Sequence, residues 1–288
     1  MMRHRVDLLG TWVDVVDAAT LPARLDALIR SEGTHQLVAA NVDFLRLGLE
    51  HAWFRDQVNA ADLVVPDGMP LVWASRLRGE ALPCRLSGID VITACAALAV
   101  ERDYGLFLLG AGPQVAVRAA EVLRARFPGL RIVGSHAPPP LPLSPQQAAT
   151  TVDLVRQACP DILLVAFGAP DQEQWIATHR QQLGIPLSIG VGGAFDMLAG
   201  RVGRAPLWVQ RSGLEWAYRM VREPRRLWKR YLIHDLPIFF RLMRQSRAAR
   251  LAPPAPVALR MGAMAERAWG QHAEHDGSSH EETSAHSA

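Results

Sequence analysis

The chain has 288 residues, which is long enough for one large domain or for one domain with an appendage. Hydrophobic residues make up 49% of it, but we find no run of about 18 uncharged apolar residues that would cross a bilayer. We also expect no secretory signal, because the first residues lack an apolar segment followed by a small-residue cleavage site. The three scattered cysteines lack metal-ligand spacing, which predicts reduced thiols in a cytoplasmic protein.

The net charge of +3 conceals an asymmetry along the chain. Residues 201–250 contain 13 basic and three acidic residues, a balance of +10, whereas the rest of the chain carries −7. A basic segment of this kind is typical of a protein surface that meets anions, such as phosphates or acidic lipids. The sequence therefore predicts one anion-binding region attached to a body of opposite charge.

Residues 1–200 alternate short apolar runs with helical patterns, which predicts an α/β core with a Rossmann-like, doubly wound and mostly parallel sheet. The predicted strands are 36–40, 63–65, 105–109, 131–134, 162–167 and 187–191. The predicted helices are 18–31, 42–59, 88–102, 114–127, 145–158 and 170–183. Ser144 and Gln147 have the spacing of a capping box at the start of one of these helices.

One segment of this core, residues 161–174, reads DILLVAFGAPDQEQ. Its apolar run is typical of a strand that is buried on both faces of a parallel sheet. Gly168 ends the strand, and Pro170 is predicted to take the first position of the next helix. Gln172 and Glu173 then fall at the carboxyl end of the strand, where open α/β sheets bind ligands. An ordinary strand–turn–helix without a site is the alternative.

Two polar residues follow two other predicted strands. Asp67 comes directly after strand 63–65, in the sequence Pro-Asp-Gly, where a carboxylate can accept the proton of an attacking hydroxyl group. The alternative is that Pro-Asp-Gly is simply a good turn sequence. Asn41 follows strand 36–40, where it either hydrogen-bonds a ligand or caps the next helix.

Glycines follow two further strands. Gly110 opens a Gly-Ala-Gly turn that invites a dinucleotide-binding interpretation, but the third glycine of that motif would fall at Val115. Such a turn still brings the backbone close to a nucleotide or phosphate. Asp196 lies after a second glycine turn, at residues 192–193, where it either orients a ligand hydroxyl group or caps a helix.

Metal chemistry has little support in the sequence, which has no Asp-x-Asp pair, histidine pair or cysteine cluster. A phosphate leaving group would then be stabilised by arginines and helix N-termini. The candidate arginines are Arg85, Arg204, Arg219, Arg222, Arg225, Arg226 and Arg230. For most of these residues the alternative is a solvated charge without a role at the site.

Residues 201–250 are predicted to form a helical appendage, and residues 251–288 a disordered tail. The appendage contains a helix start at Pro224 and a break or kink after Pro237. Its last part, residues 236–250, places Ile238, Phe239, Leu242 and Met243 on one side and arginines on the other. This pattern favours a helix lying in a membrane interface, and the alternative is a helix packed on the core with a basic outer face. An exposed apolar appendage would also allow self-association.

The motifs together resemble the WecG/TagA/CpsF glycosyltransferases, family 26, over about residues 35–235. The matching segments, in chain order, are ANVDFL, ADLVVPDGMPLVWASR, RLSGIDVI, LLGAGP, FPGLRIVG, DILLVAFGAPDQEQWI, VGGAFDMLAGRVGRAPLW and GLEWAYRMVREPRRLWKRY. The resemblance implies transfer of a sugar from a nucleotide diphosphate sugar, usually a UDP-sugar, to a polyprenyl-diphosphate-linked acceptor. It further implies inversion, no cofactor or essential metal, and a peripheral location at the cytoplasmic face of the bacterial inner membrane.

The resemblance also implies residue roles. It makes Asp67 the general base. The residues that it implies around the substrates are Asn41, Arg85, Gln172 and Asp196 in the pocket, and Arg219, Arg226 and Arg230 over the diphosphate. With Gly110, Gly168 and Glu173, they form the predicted substrate-binding set. The chain departs from the family pattern at Ala39, where relatives usually have threonine, and at Asp171, where they tend to have lysine.

The sequence thus predicts an inverting, metal-independent glycosyltransferase of cell-surface or exopolysaccharide synthesis, which moves a hexose-type sugar at an anionic membrane surface. One alternative is an NAD-type oxidoreductase built around Gly110. The other is a non-enzymatic, arginine-rich protein that binds membrane or nucleic acid, although the favoured interpretation involves no nucleic acid.

Overall fold

The computed structural model describes residues 3–203, 205–206, 209, 215–222 and 224–251. Its strands are β1 (Arg5–Leu8), β2 (Thr11–Asp14), β3 (His35–Ala40), β4 (Leu63–Pro66), β5 (Leu106–Gly110), β6 (Ile132–His136), β7 (Ile162–Ala166) and β8 (Leu187–Gly190). The helices of the first two hundred residues are α1 (Leu21–Arg30), α2 (Val42–Glu50), α3 (Ala52–Ala60), α4 (Met69–Arg78), α5 (Gly88–Arg102), α6 (Val115–Arg126), α7 (Pro145–Gln157), α8 (Asp171–Leu183) and α9 (Ala194–Leu198). The C-terminal segment contains α10 (Glu215–Arg222), α11 (Pro224–Trp228), a π-helical segment (Lys229–Asp235) and α12 (Leu236–Leu251).

Six of the strands form one parallel sheet in the order β4-β3-β8-β7-β5-β6. This arrangement confirms the predicted Rossmann-like α/β fold. The first two strands form a separate antiparallel hairpin, which docks beside the sheet because Asp14 Oδ2 accepts a hydrogen bond from the Val64 N–H at 2.8 Å.

Alternate residues of each strand pack on opposite faces of the sheet. On β7, Leu163 and Val165 pack with residues of α7 and α8, whereas Ile162 and Leu164 pack with residues of α1, α5 and α6. Both faces are therefore covered, which explains why the strands are continuous apolar runs rather than alternating ones.

The chain reverses its direction across the sheet between β5 and β7. Helix α6 connects β5 to its neighbour β6 and packs on one face of the sheet. Helix α8 connects β7 to its neighbour β8, in the opposite direction across the sheet, and packs on the other face. The connections after β5 and β7 therefore leave in opposite directions across the sheet, which makes this position the topological switch point of the fold. In open α/β folds such a switch point is the usual place for a ligand.

Two details of the core differ from the prediction. The helix predicted at 42–59 is interrupted at His51, whose backbone is extended and separates α2 from α3. The prediction that Pro170 is the first residue of α8 is wrong, since the helix begins at Asp171 and Pro170 precedes it. The capping box of Ser144 and Gln147 is confirmed, with hydrogen bonds in both directions.

The membrane orientation predicted for Leu242 is wrong, because this side chain is fully buried and packs in the core cluster of α2, α3, β1 and β4. Ile238 and Met243 are partly buried against the same cluster. The apolar face of an amphipathic helix can be covered by a protein core or by lipid, and here the core covers the face that contains Leu242.

The prolines of the C-terminal segment have different outcomes. Helix α11 begins at Pro224, as predicted. The prediction of a break after Pro237 is wrong, because Pro237 is the second residue of α12, which then runs on to Leu251. The irregularity instead lies directly before Pro237, in the π-helical segment Lys229–Asp235, which runs without a break into α12. Proline has no N–H for the helical ladder, and a local change of helix type accommodates the missing bond. The tail predicted to be disordered lies outside the described residues from position 252 onwards.

Candidate active site

Five of the predicted site residues lie along the carboxyl edge of the sheet. Asp67 follows β4, Asn41 follows β3, Asp196 follows β8, Gly168 follows β7 and Gly110 ends β5. These strands are neighbours in the sheet and run in the same direction, so their ends form one continuous edge. Residues that are far apart in the sequence are thus brought to the same side of the molecule.

Asp67 is held next to the end of β3 by the backbone. Its N–H donates to the carbonyl oxygen of Ala40 at 2.7 Å, and Asn41 is the next residue. Asn41 Oδ1 accepts hydrogen bonds from the N–H groups of Asp43 at 3.0 Å and Phe44 at 3.3 Å, and so caps α2. Of the two interpretations of Asn41, the capping role is thus present in the structure, and a ligand contact stays a prediction.

Arg85 is placed beside Asp67 by the loop between α4 and α5. The N–H of Leu86 donates to the carbonyl oxygen of Pro66 at 2.8 Å, which ties this loop to the end of β4. The Arg85 side chain is 15% exposed and pairs with Glu215, the first residue of α10, whose side chain is 14% exposed.

Three carboxylates surround the Arg85 guanidinium. Burial acts against its charged form, but the carboxylates of Glu215, Asp67 and Asp90 outweigh burial and raise the pKa of Arg85 above its ordinary value. Asp90 Oδ2 lies 3.9 Å from Arg85 Nη2. The end of β4 is therefore a charged site in which a cation stands close to the predicted base, and the C-terminal segment contributes one of the anions.

The side chain of Gln172 ties together the loops after β7 and β8. Its Oε1 accepts from the N–H groups of Gly168 at 3.2 Å and Gly192 at 2.9 Å, and its Nε2 donates to Glu173 Oε1 at 2.7 Å. A methyl group on Gly190 would lie 2.6 Å from each of these two side chains, so any larger residue there would displace them. Gln172 and Glu173 lie beneath the loops, at 3% and 0% exposure, and their contact with substrate stays a prediction.

Glu173 is a fully buried carboxyl group. Burial is the main cause that raises its pKa, to about 8, and the nearby charge of Asp171 acts in the same direction, whereas the hydrogen bond from Gln172 acts against them. Gln57 of α3 donates from Nε2 to the Glu173 backbone oxygen at 2.9 Å. At neutral pH Glu173 is thus mostly a neutral acid inside the protein, rather than a charged group at its surface.

The turn after β5 brings backbone close to backbone. Gly110 has a φ of +98°, and a side chain there would lie 2.9 Å from the backbone of Ala166 on the neighbouring strand. The N–H of Ala111 donates to the same Ala166 carbonyl oxygen at 2.9 Å. The glycine predicted from the sequence is therefore needed for the close approach of β5 and β7.

A cavity of about 380 Å³ opens beside this turn, at the start of α6. Its lining residues are Pro113, Gln114, Val115, Val117, Arg118, Glu121, Ala199 and Arg201. Asp196 lies in the first turn of α9 and its Oδ1 is 4.0 Å from Arg201 Nη1. The N-cap residue of α9 is Gly193, so Asp196 does not cap this helix. A contact between Asp196 and a ligand stays a prediction.

Arg230 reaches the same edge of the sheet from the π-helical segment. Its Nη2 lies 3.4 Å from Asp43 Oδ2, in the first turn of α2, and its Nε lies 3.7 Å from Asp235 Oδ2. Burial raises the pKa of Asp235 to about 6, with the charge of Asp43 acting in the same direction and the Arg230 charge against it. One of the three predicted C-terminal arginines therefore contacts Asp43, which is two residues after Asn41.

The other two predicted arginines cannot be placed in this way. Arg219 belongs to α10 and Arg226 to α11, but both side chains lie outside what the structure describes. The whole of Arg204 also lies outside it. Their roles at a diphosphate stay predictions.

Sequence reasoning missed the carboxylates that contact the arginines. Glu215 and Asp43 were assigned no role, although Glu215 is one of only three acidic residues in the basic segment. That isolation is a signal, because a single acid among many arginines is a natural ion-pair partner. Within the described part of the chain, no group of three or more His, Cys, Asp or Glu residues converges on a metal position.

The protein has a Rossmann-like α/β fold with charged and polar residues along the carboxyl edge of its parallel sheet. The family model for the Glycosyl transferase WecG/TagA/CpsF family matches residues 6–252, and the chain belongs to this family. It is a glycosyltransferase. This membership decides against the NAD-type oxidoreductase and the non-enzymatic scaffold.

Curated relatives from Staphylococcus aureus strains MW2 and NCTC 8325 are each 29% identical to the chain over 238 residues. The alignment covers 82% of this chain and 90% of each relative. Both relatives are named N-acetylglucosaminyldiphosphoundecaprenol N-acetyl-beta-D-mannosaminyltransferase. Within the described residues, no helix is both long and apolar enough to span a membrane.

Proposed function

We propose that the protein transfers a hexose-type sugar from a UDP-sugar to a polyprenyl-diphosphate-linked saccharide in bacterial cell-surface or exopolysaccharide synthesis. The names of the relatives support this acceptor class and make N-acetylmannosamine the first sugar to test. The transfer inverts the anomeric configuration, needs no metal and involves no nucleic acid.

Asp67 is the general base of this reaction. The oxygen of the acceptor hydroxyl group attacks the anomeric carbon of the donor, its proton passes to the Asp67 carboxylate, and the bond from the anomeric carbon to the diphosphate breaks. The observation that carries the proposal is the end of β4, where the backbone holds Asp67 beside both Asn41 and the Arg85 charge. Negative charge develops on the departing diphosphate, and guanidinium groups that are already in place stabilise it.

The nucleotide occupies the other end of the edge, at the turn after β5. The cavity there has a volume in the range of small-molecule sites, and it is lined by Arg118 and Arg201. The close backbone approach at Gly110 and the N-terminus of α6 favour a phosphate group. Asp196 is then available to a hydroxyl group or base of the nucleotide.

The decisive experiment is a transfer assay with purified protein. A panel of UDP-sugars that includes UDP-N-acetylmannosamine is incubated with a short-chain polyprenyl-diphosphate N-acetylglucosamine, and the product mass is measured with and without a chelator. We expect one UDP-sugar to give a mass increase of one sugar residue, unchanged by the chelator. Absence of product with every donor, or transfer only from other nucleotides, would contradict the proposal.

The protein also docks on an anionic membrane surface, at the cytoplasmic face of the inner membrane. The side of the C-terminal segment that faces away from the core exposes Leu232, Ile233, Leu236 and Phe240, each at least 40% exposed. Arg241 and Arg244 are exposed next to them. Exposed apolar groups flanked by arginines are typical of an interfacial helix, and this face is not the one that packs on the core.

The docking surface is tested by substitution, because truncation would also remove Leu242 from the core. We expect the triple variant Ile233→Ser, Leu236→Ser, Phe240→Ser to stay folded and to lose co-sedimentation with vesicles that contain phosphatidylglycerol. Val100→Ser, which changes an apolar residue of α5 at 41% exposure, is the matched control and should pellet like the unmodified protein. Undiminished pelleting of the triple variant would refute the docking surface.

A further inference from the structure

The buried pair of Gln172 and Glu173 has an arrangement that a surface contact with substrate does not explain. The Gln172 amide uses both lone pairs of Oε1 on two loop N–H groups, those of Gly168 and Gly192. These two loops follow β7 and β8, in the middle of the edge between the predicted base and the cavity. A single side chain therefore fixes the spacing of two active-site loops.

The orientation of this amide is determined by its three hydrogen bonds, two from loop N–H groups and one to Glu173. If the Gln172 amide were rotated by half a turn, its NH₂ group would face the two backbone N–H groups and all three hydrogen bonds would be lost. In the observed orientation Nε2 needs an acceptor, and Glu173 Oε1 provides one at 2.7 Å in a fully buried position. The acceptor on Glu173 is thus required for the amide to hold both loops.

Gly190 makes room for this arrangement. A methyl group there would approach Gln172 Nε2 and Glu173 Oε1 to 2.6 Å, so the glycine leaves space on β8 for the hydrogen bond between the two side chains. The second carboxyl oxygen, Oε2, is buried and has no hydrogen-bond partner among the described residues. A carboxyl group with one oxygen in this situation is best accommodated as a neutral acid.

We propose that Glu173 is a positioning residue of the transfer reaction, whose carboxyl oxygen Oε1 locks the Gln172 amide and through it the loops after β7 and β8. This inference rests on the proposed function, and it assigns Glu173 a role other than contact with substrate. Loss of the lock displaces the loops that face the donor, so it raises the KM for the UDP-sugar more than it lowers kcat.

Ionisation of Glu173 opposes the lock. The carboxylate still accepts from Gln172 Nε2, but it places an uncompensated negative charge in the core, where Oε2 is buried without a hydrogen-bond partner among the described residues. Among the described residues, Asp171 is the only charged group that contributes to its raised pKa, while α3 presents Gln57 and β8 presents Gly190. Since the pKa is raised from 4.5 to about 8, the neutral form is favoured by folding. Its contribution to stability is fully present below about pH 4.5 and is lost as the pH rises to about 8.

Two substitutions separate the lock from simple core packing. Glu173→Gln retains an acceptor oxygen and resembles the neutral acid, so we expect a donor KM within about twofold of the unmodified protein at pH 7. Glu173→Ala removes the acceptor, and we expect the donor KM to rise about tenfold or more. Ile176→Ala, fully buried on the same helix, is the matched control and should lower the melting temperature without raising the donor KM.

The pH profile gives an independent measurement. In the unmodified protein the donor KM should rise above about pH 8, and the melting temperature should fall between about pH 4.5 and pH 8 relative to that of Glu173→Gln. Should Glu173→Ala not fold, this comparison with Glu173→Gln still tests the lock. The lock is refuted if Glu173→Gln shares the pH dependence of the unmodified protein, or if a folded Glu173→Ala keeps its donor KM. The proposed function fails separately, when the unmodified protein transfers no sugar.

Discussion

The two halves of the active-site edge are held together by different forces. In the middle, at β7 and β8, backbone N–H groups, an amide and a buried carboxyl group form a neutral network with little exposure to water. At the β4 and β3 end, Arg85 and Arg230 are paired with carboxylates, and in each case the pair joins the C-terminal segment to the core.

The neutral network holds the loops at a fixed distance, whereas the ion pairs leave arginines that can bind another anion. Neutral hydrogen bonds inside the core are costly to break, so they are suited to fixing the distance between loops. Arginine binds carboxylates and phosphates through the same charge-assisted hydrogen bonds, so an anionic ligand competes with the carboxylate for the guanidinium group. A diphosphate can therefore replace Glu215 or Asp43 at an arginine with a small change in free energy, whereas no ligand can replace Gln172 without opening the core.

The largest expected effect comes from the base at the charged end. Asp67→Asn should keep the fold and the affinity for UDP, because the backbone hydrogen bond to Ala40 does not involve the side chain. It should lower kcat by about 10²- to 10⁴-fold, the usual contribution of a general base. Steady-state transfer rates and calorimetric UDP binding measure the two quantities. Near-normal turnover would remove Asp67 from the mechanism.

The sequence was sufficient for the sheet and for the residues at its edge. All six parallel strands were predicted with errors of at most two residues at either end, because a strand buried on both faces is a short, unbroken apolar run. The strand ends then follow directly, and with them Asp67, Asn41 and Gly110. Helix α4 was missed although its signals were present, with Pro70 in its first turn and the left-handed Gly79 at its end.

The partners of the site residues could not be predicted in the same way. Arg85 and Glu215 are 130 positions apart, and no local pattern links them. The orientation of α12 was ambiguous for a different reason, since lipid and protein core select the same amphipathic pattern. The buried position of Gln172 and Glu173 depends on Gly190, whose missing side chain is informative only when the neighbouring strand is known.

A smaller effect is expected when the neutral half is disturbed through Gly190. In Gly190→Ala, the new methyl group displaces the ends of the Gln172 and Glu173 side chains and breaks their hydrogen bond. We expect a loss of roughly 1–3 kcal/mol in the free energy of unfolding, measured by denaturant titration. Gly193→Ala is the matched control for stability, because its methyl group meets no atom within 4 Å. Equal stability of the two variants would show that the network at β7 and β8 tolerates displacement.

The smallest effect should come from the ion pair that joins α10 to the core. Glu215→Gln keeps a hydrogen-bond acceptor for Arg85 but removes the charge, so we expect a loss of about 1 kcal/mol, between the values for exposed and buried pairs. This loss should lower the melting temperature by roughly 2–4 °C at low salt and by less at high salt.

The matched control for this ion pair is a more exposed one. Glu121→Gln removes the charge from a pair with Arg118 at 2.9 Å, in which the two side chains are 54% and 65% exposed. It should leave the melting temperature unchanged within error, because water already screens that pair. If Glu215→Gln were equally silent, then the partly buried charge at Arg85 would not hold the C-terminal segment. If its effect were instead independent of salt, the contact would act through packing, and the contrast between the two halves of the site would lose its electrostatic basis.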